Sequence, residues 1–220
     1  MHAPPDPLYE DRWLLAFDKP AGLLAVPGRG AEKADCLAAR VQARWPDALV
    51  VHRLDEATSG LMLMARGAEM QRVLSALFAA RQVEKRYVAL AHGCPPAEDV
   101  DAEGWARIAL PLARDWPRRP RSKVDLEHGR ASLTLWRALA EQETPAWADG
   151  KTLCRLELRP VTGRSHQLRV HLLASGCPIA GDALYGAPDN APRLMLHAAA
   201  LRFAHPASGQ ELRLECAVPF

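Results

Sequence analysis

The spacing of hydrophobic positions changes several times along the chain, and each change marks an expected element. Residues 13–28, WLLAFDKPAGLLAVPG, hold two short apolar runs broken by Pro20 and Gly22, which predicts strand, turn, strand. Asp35 stands where it would cap a following helix, in which Leu37, Val41 and Trp45 repeat at helical spacing. From Glu69 to about Arg81, Met70, Val73, Leu74, Leu77 and Phe78 share one face of a second helix. In EKRYVALAHG, Tyr87, Ala89 and Ala91 alternate against Val88 and Leu90, as in a strand buried on both faces.

The second half opens on a polar loop and continues with ASLTLWRALAE, residues 131–141, as a strand. In TLCRLELRP, residues 152–160, Cys154, Leu156 and Leu158 alternate with Arg155, Glu157 and Arg159, the clearest strand pattern in the chain. VTGR then turns into a helix, SHQLRVHLLASG, with Ser165 expected to cap its start and Gly176 its end. The C-terminal LRFAHPASGQELRLECAVP reads as two alternating strands around Pro206, Ser208 and Gly209. Helices are few and the connections are mostly of hairpin length, so the fold class is α+β, with a mixed, mainly antiparallel sheet.

The 220 residues are enough for a substantial core, and 49% hydrophobic with 25% charged residues is ordinary globular composition. One catalytic-size domain over 1–220 is expected, with residues 1–11 as an N-terminal extension. No signal-peptide core and no membrane-length apolar run occurs, so a soluble, cytoplasmic protein is expected. The five cysteines are at least 23 residues apart, which offers no zinc-knuckle pair and predicts reduced thiols. A net charge of +2 excludes little, but its distribution is uneven. Between Arg107 and Lys123 six basic residues accompany one acidic residue, Asp115, and Trp116 stands among them. Such a loop can hold phosphates and stack an unpaired base; a merely solvated loop would look the same.

HRLDEATSG, residues 52–60, interrupts two buried runs with polar side chains. A tight loop between core strands holds side chains rigidly, as a reacting carboxylate requires, and Asp55 is the candidate. An Asx-turn in which Asp55 caps its own backbone is the alternative. In the helix near 165–176, at about 100° per residue, Arg169 falls inside the arc marked by Leu168, Leu172 and Leu173. A buried guanidinium needs an anion, a protein carboxylate or a bound phosphate, unless Arg169 snorkels to the surface at the helix edge. Asp55 is the expected partner, and the cation would keep it ionised as a nucleophile or base.

Other chemistries fit poorly. His166 and His171 lie roughly 140° apart on the helical wheel, and no further ligands stand at familiar spacing, so no metal is expected. Neither GxGxxG nor a Walker loop is present, and no GxSxG elbow exposes a serine. No cofactor is expected.

HRLDEATSGLMLMAR resembles the catalytic loop of the RluA-type pseudouridine synthases. FDKPAGLLAVPG, KRYVAL, PVTGRSHQLRVHLLASGCPIAGDALYG and RLMLHAAAL resemble other segments of that family in the same order. DWPRRPRSKV is further similar to a loop of the short members that modify both large-subunit ribosomal RNA and a tRNA anticodon stem-loop. The resemblance implies a pseudouridine synthase fold with a central RNA-binding cleft, without the S4 domain of many relatives. It implies that Asp55 is the catalytic aspartate, Tyr87 the tyrosine that stacks on the target base, and Arg169 the basic residue paired with Asp55. Arg53 would enter the RNA helix beside the displaced nucleotide, and Leu196 would wall the uracil pocket. Trp116, Arg118, Arg119, Arg121, Lys123 and Arg164 would bind RNA.

The expected reaction breaks the N1–C1′ bond of a uridine and forms C5–C1′, with no metal or cofactor. The partner is RNA, ribosomal or a tRNA stem-loop, with no DNA and no membrane, and the chain is expected to act as a monomer. Two other classes compete. A non-catalytic RNA-binding protein would use the basic loop and leave Asp55 structural, and a nucleosidase would need a second carboxylate, for which Glu56 is the one near candidate.

Overall fold

A computed structural model describes residues 5–97, 99–140, 145–148, 150, 152–186 and 191–220. Its strands are β1 (Tyr9–Glu10), β2 (Leu14–Lys19), β3 (Ala48–Val50), β4 (Ser59–Arg66), β5 (Glu84–His92), β6 (Ala106–Ile108), β7 (Leu112–Arg114), β8 (Ser122–Val124), β9 (Thr134–Ala138), β10 (Leu153–Pro160), β11 (Leu196–Ala204) and β12 (Glu211–Glu215). The α-helices are α1 (Leu37–Gln42), α2 (Ala68–Ala79) and α3 (Gln167–Ala174). The chain divides into two compact units, residues 1–85 with 197–219, and residues 86–196 with 220.

The first unit is organised around β4, whose first seven residues are all buried. It pairs antiparallel with β2 along its length, antiparallel with β3 near its end, and parallel with β11 at its start. β12 pairs with β11 as the predicted C-terminal hairpin. Because β4 is covered on both faces, it reads as a continuous apolar run. One face packs Leu61, Leu63 and Ala65 with Met70 and Leu74 of α2, and the other packs Met62 and Met64 with Leu37 and Val41 of α1.

The second unit is an antiparallel sheet in the order β5-β10-β9-β6, with α3 and the small hairpin β7-β8. The alternation expected for β10 holds for Leu156 and Leu158, but its other face is not solvated. Glu157 is 3% exposed and accepts from Arg137, and the guanidinium groups of Arg137 and Arg159 lie 4.6 and 4.1 Å from the centre of the Trp105 ring. The charged face is thus an ion-pair and cation–π layer.

Several expectations are corrected. The second apolar run of 13–28 forms no strand, only a bridge from Leu24 to Cys36, because Pro20, Gly22 and Pro27 break it too closely. The cap of α1 is the Cys36 thiol, which accepts from Ala39 N–H; Asp35 instead pairs with Arg40. Helix α2 starts one residue early, and Val73 on its supposed inner face is 40% exposed. The basic loop contains a hairpin whose tip is a 3-10 turn, Trp116–Arg118. The strand expected over 131–141 is shorter, and its residue 141, like residues 1–4 of the extension, lies outside the described residues. Ser165 does not cap α3, which starts after His166 in a left-handed conformation, φ 57°. Gly176 does end that helix: its N–H bonds to Leu173 O and that of Cys177 to Leu172 O, the pair of bonds of a Schellman motif. Cys94 and Cys154 form a disulfide, their Cα atoms 5.3 Å apart, where free thiols were expected. The pairing of β5 with β10 sets Cys154 opposite Ala91 and brings Cys94 within reach, a tertiary proximity that linear spacing conceals.

Candidate active site

In the first unit, residues 51–58 connect β3 to β4 and carry Arg53 and Asp55. Leu54 is buried and anchors the loop, while Arg53 is exposed and Asp55 half-buried. The turn closes with a bond from Thr58 N–H to Asp55 C=O at 3.1 Å. Below it lies Lys19, fully buried at the end of β2. Its ammonium donates to the carbonyls of Leu23, Pro20 and Glu56 at 2.7, 2.9 and 3.1 Å, and Gly22 N–H also bonds to Glu56 O. One buried cation thus joins the turn after β2 to the loop that presents Asp55. Lysine's three donors match three convergent carbonyls, which neither arginine nor an apolar residue would do.

His52 braces the same loop from the other side. Its ring stacks on Phe78 at 4.4 Å, and Nε2 accepts Leu63 N–H from β4. Burial and the neighbouring Lys85 ammonium push its pKa down to about 3, so the imidazole is neutral and Nε2 keeps its lone pair. Gly60, at the start of β4, has φ 111°, and a side chain there would collide with the backbone of Ala198 on β11. Only glycine permits the two backbones to approach this closely.

In the second unit, Arg169 is 3% exposed, as its place on the helical wheel predicts. Its Nε and Nη2 form a two-pronged bond to Asp182 at 2.8 and 2.7 Å, and its guanidinium lies 5.0 Å from the ring of Tyr185. Asp182 also accepts the N–H groups of Leu184 and Tyr185. Within its own unit the buried charge thus has a carboxylate partner, Asp182, that was not among the expected site residues. Tyr185 extends the network: its hydroxyl accepts Ser122 N–H at 2.6 Å and meets His166 Nδ1 at 2.7 Å. Gln167 fills its hydrogen-bonding capacity with Thr162, Thr134 and the backbone of Leu133 and Arg164. These bonds fix the start of α3 and the VTGR turn before it.

The basic hairpin sorts its charges. Arg118 bonds to the buried Asp115 at 2.9 Å, Lys123 to Asp125 at 3.1 Å, and Arg121 lies over the Tyr185 ring. Arg119 covers one face of Trp116, which is still 62% exposed. Trp116 and Arg164 line one cavity of about 490 Å³ together with Arg114, Ser122, His128 and Arg130. The hairpin and the VTGR turn, distant in sequence, thus share a wall rich in cations beside an exposed indole. Tyr87 is half-buried on β5 opposite Leu158, and Leu196 is 3% exposed at the start of β11. Sequence reading missed Lys19, Asp182, Gln167, Arg114 and Arg130. A lysine closing an apolar strand just before Pro20 was the one local hint of the first.

The family model for RNA pseudouridylate synthase matches residues 13–174. This chain belongs to that family. It is an RNA pseudouridine synthase, an isomerase. The dual-specificity RNA pseudouridine synthase RluA of Escherichia coli K12 is 43% identical over 217 residues, covering 97% of this chain and 93% of its own length. RluA of Vibrio cholerae is 45% identical over 206 residues, covering 92% of this chain and 78% of its own. Among solved structures, human RNA pseudouridylate synthase domain containing 1 superposes with a TM-score of 0.76 at 28% identity, covering 96% of this chain and 82% of that one. Human RNA pseudouridylate synthase domain containing 4 reaches 0.74 at 24% identity, which speaks for the fold alone. These likenesses bear out the α+β fold expected of the family's motifs. Among the described residues, no helix is long and apolar enough to cross a membrane.

Proposed function

We propose that this pseudouridine synthase has dual specificity, acting on uridines in both ribosomal RNA and a tRNA stem-loop, as a monomer in the cytoplasm where those RNAs function. The observation that carries the reading is the identity of 43% with the Escherichia coli dual-specificity enzyme over almost the whole of both chains. The exposed Trp116 beside a basic cavity supports it, since a stacking platform among cations suits splayed nucleotides of different sequence.

In this reading Asp55 is the catalytic carboxylate. It attacks covalently or removes the 2′ hydrogen, which is later returned; either way N1–C1′ breaks, the detached base turns, C5–C1′ forms, C5 loses its proton and N1 gains one. Tyr87 stacks on the extruded uracil, with Leu196 as the opposite wall, and Arg169, held by Asp182, is the basic residue of the reaction. Arg53, exposed next to Asp55 in the loop, fills the gap left by the flipped nucleotide, offsetting an unstacking cost of a few kcal/mol. Arg118, Arg119, Arg121, Lys123 and Arg164 steer and hold the phosphate backbone.

The test is tritium release from RNA labelled at uridine C5, with ribosomal RNA and tRNA assayed separately. Release from both pools, abolished by Asp55→Asn with RNA binding retained, is the expected result. Release from one pool only would remove dual specificity, and turnover by Asp55→Asn would remove the assigned role of Asp55.

A further inference from the structure

The first unit contains a cluster that the proposed reaction does not use. Asp18 in β2, His197 in β11 and Cys216 just after β12 each direct one ligand atom to a common point, all within 4.8 Å of one another. The sheet fixes their backbones: Asp18 pairs with Leu61, His197 with Ser59, and Cys216 N–H donates to Ala199 O at 2.8 Å. His197 is fully buried and Cys216 nearly so, while Asp18 is exposed. The cluster is therefore buried on its His197 and Cys216 side and open to solvent at Asp18. We propose that Asp18, His197 and Cys216 form a binding site for a divalent cation of the zinc class.

The donor set selects the ion. A thiolate and an imidazole suit zinc and its neighbours, whereas magnesium and calcium prefer oxygen donors alone. Ligand atoms at about 2.0–2.3 Å from one zinc stand roughly 3.5 Å apart, so from separations of up to 4.8 Å closure needs a contraction of no more than about 1.3 Å, within reach of the exposed Asp18 side chain. The imidazole is already held: Nδ1 meets Ser59 Oγ at 2.8 Å, which fixes the ring, and ligation falls to Nε2. Without metal, the Cys216 thiol lies beside the Asp18 carboxylate and donates to Ala217 O at 4.0 Å. Binding replaces the S–H bond with a sulfur–metal bond and releases that proton to solvent. Asp18 lies on the open side, so the fourth position falls to water. The ion would tie β2, β11 and the segment after β12 at the start of β4. Periodicity and spacing could not reveal the site, because its ligands converge only through strand pairing.

The experiment is a cobalt(II) titration of the full chain after chelator treatment, following the near-ultraviolet thiolate–cobalt charge-transfer band and its displacement by zinc. One equivalent is expected to bind. Cys216→Ser and Asp18→Asn should each weaken binding by more than about tenfold, Ser59→Ala by about 10- to 100-fold, and Cys177→Ser should leave it unchanged. Absence of the band in the unmodified chain overturns the proposal, as does a band that survives Cys216→Ser or disappears in Cys177→Ser. Should Cys216→Ser lose its fold by circular dichroism, Asp18→Asn at an exposed position decides: an unweakened band there overturns the site. The readout is independent of RNA, so failure of the assigned substrates would not touch it.

Discussion

Lys19 holds the carbonyl of Glu56, 37 residues further along the chain, at 3.1 Å while bonding two carbonyls of its own turn. The ammonium is thus the joint between β2 and the loop that carries Asp55. Lys19→Met keeps the volume but removes the donor shared by three carbonyls; Glu56 O keeps Gly22 N–H, and the other two cost about 1–3 kcal/mol each when unsatisfied. Stability is expected to fall by about 2–5 kcal/mol by urea denaturation. Below the transition kcat should drop more than KM rises, because the carboxylate is misplaced while RNA contacts persist; an unchanged kcat would remove the positioning role.

Arg169 and Asp182 are a buried pair whose members are not separately dispensable. Removing either charge, as in Arg169→Met or Asp182→Asn, should destabilise by about 3–5 kcal/mol. The double variant Arg169→Met/Asp182→Leu should cost less than the sum. Additive losses in a double-mutant cycle would show that the two-pronged bond is not the source of the effect.

Acid should weaken the first unit through His52. The pKa is about 3 in the fold against 6.5 for the free side chain, so between these values the unfolded chain binds a proton that the native chain refuses. Stability is therefore complete above pH 6.5 and is lost as pH falls toward 3, by up to about 1.4 kcal/mol per pH unit. His171, lowered by burial, adds in the same direction. His52→Gln, which retains an acceptor for Leu63 N–H, should flatten the dependence; a stability–pH curve of the same slope in both proteins would refute the assignment.

Gly60→Ala places a methyl against the backbone of Ala198 at φ 111°. The expected loss exceeds about 3 kcal/mol, since backbone strain and displacement of β11 combine. A variant melting within a few degrees of the parent would show that β11 can yield.

Trp116→Ala should raise KM for RNA about 5- to 100-fold with little change in kcat, the range expected for losing one stacked base. Arg114→Ala and Arg130→Ala should weaken binding and flatten its dependence on salt. A change confined to kcat would place Trp116 elsewhere in the cycle.

Much of the architecture follows from local periodicity. The runs of β4 and β5, the alternation of β10 and the C-terminal hairpin are patterns of two residues, and α2 one of nearly four; all formed close to where expected. Arg169 was legible as buried because a helical wheel places it there. Its bond to Asp182 was not, since Asp182 arrives from a turn beyond the helix. The same holds for Lys19 with Glu56 and for Cys94 with Cys154, which meet through strand pairing. Caps failed for a smaller reason. Asp35 and Ser165 had the right chemistry one residue too early, and the chain used the Cys36 thiol in one case and a left-handed His166 in the other.

The parallel pairing of β11 with β4 sets the order in which this protein can be made. Residues 59–66 leave the ribosome early, but the strand that completes their edge comes only after all of residues 86–196. During that interval the start of β4 presents unpaired backbone groups and an apolar surface to whatever is near. The first unit therefore cannot close during early synthesis, and the segment that presents Asp55 acquires its final support among the last events of folding.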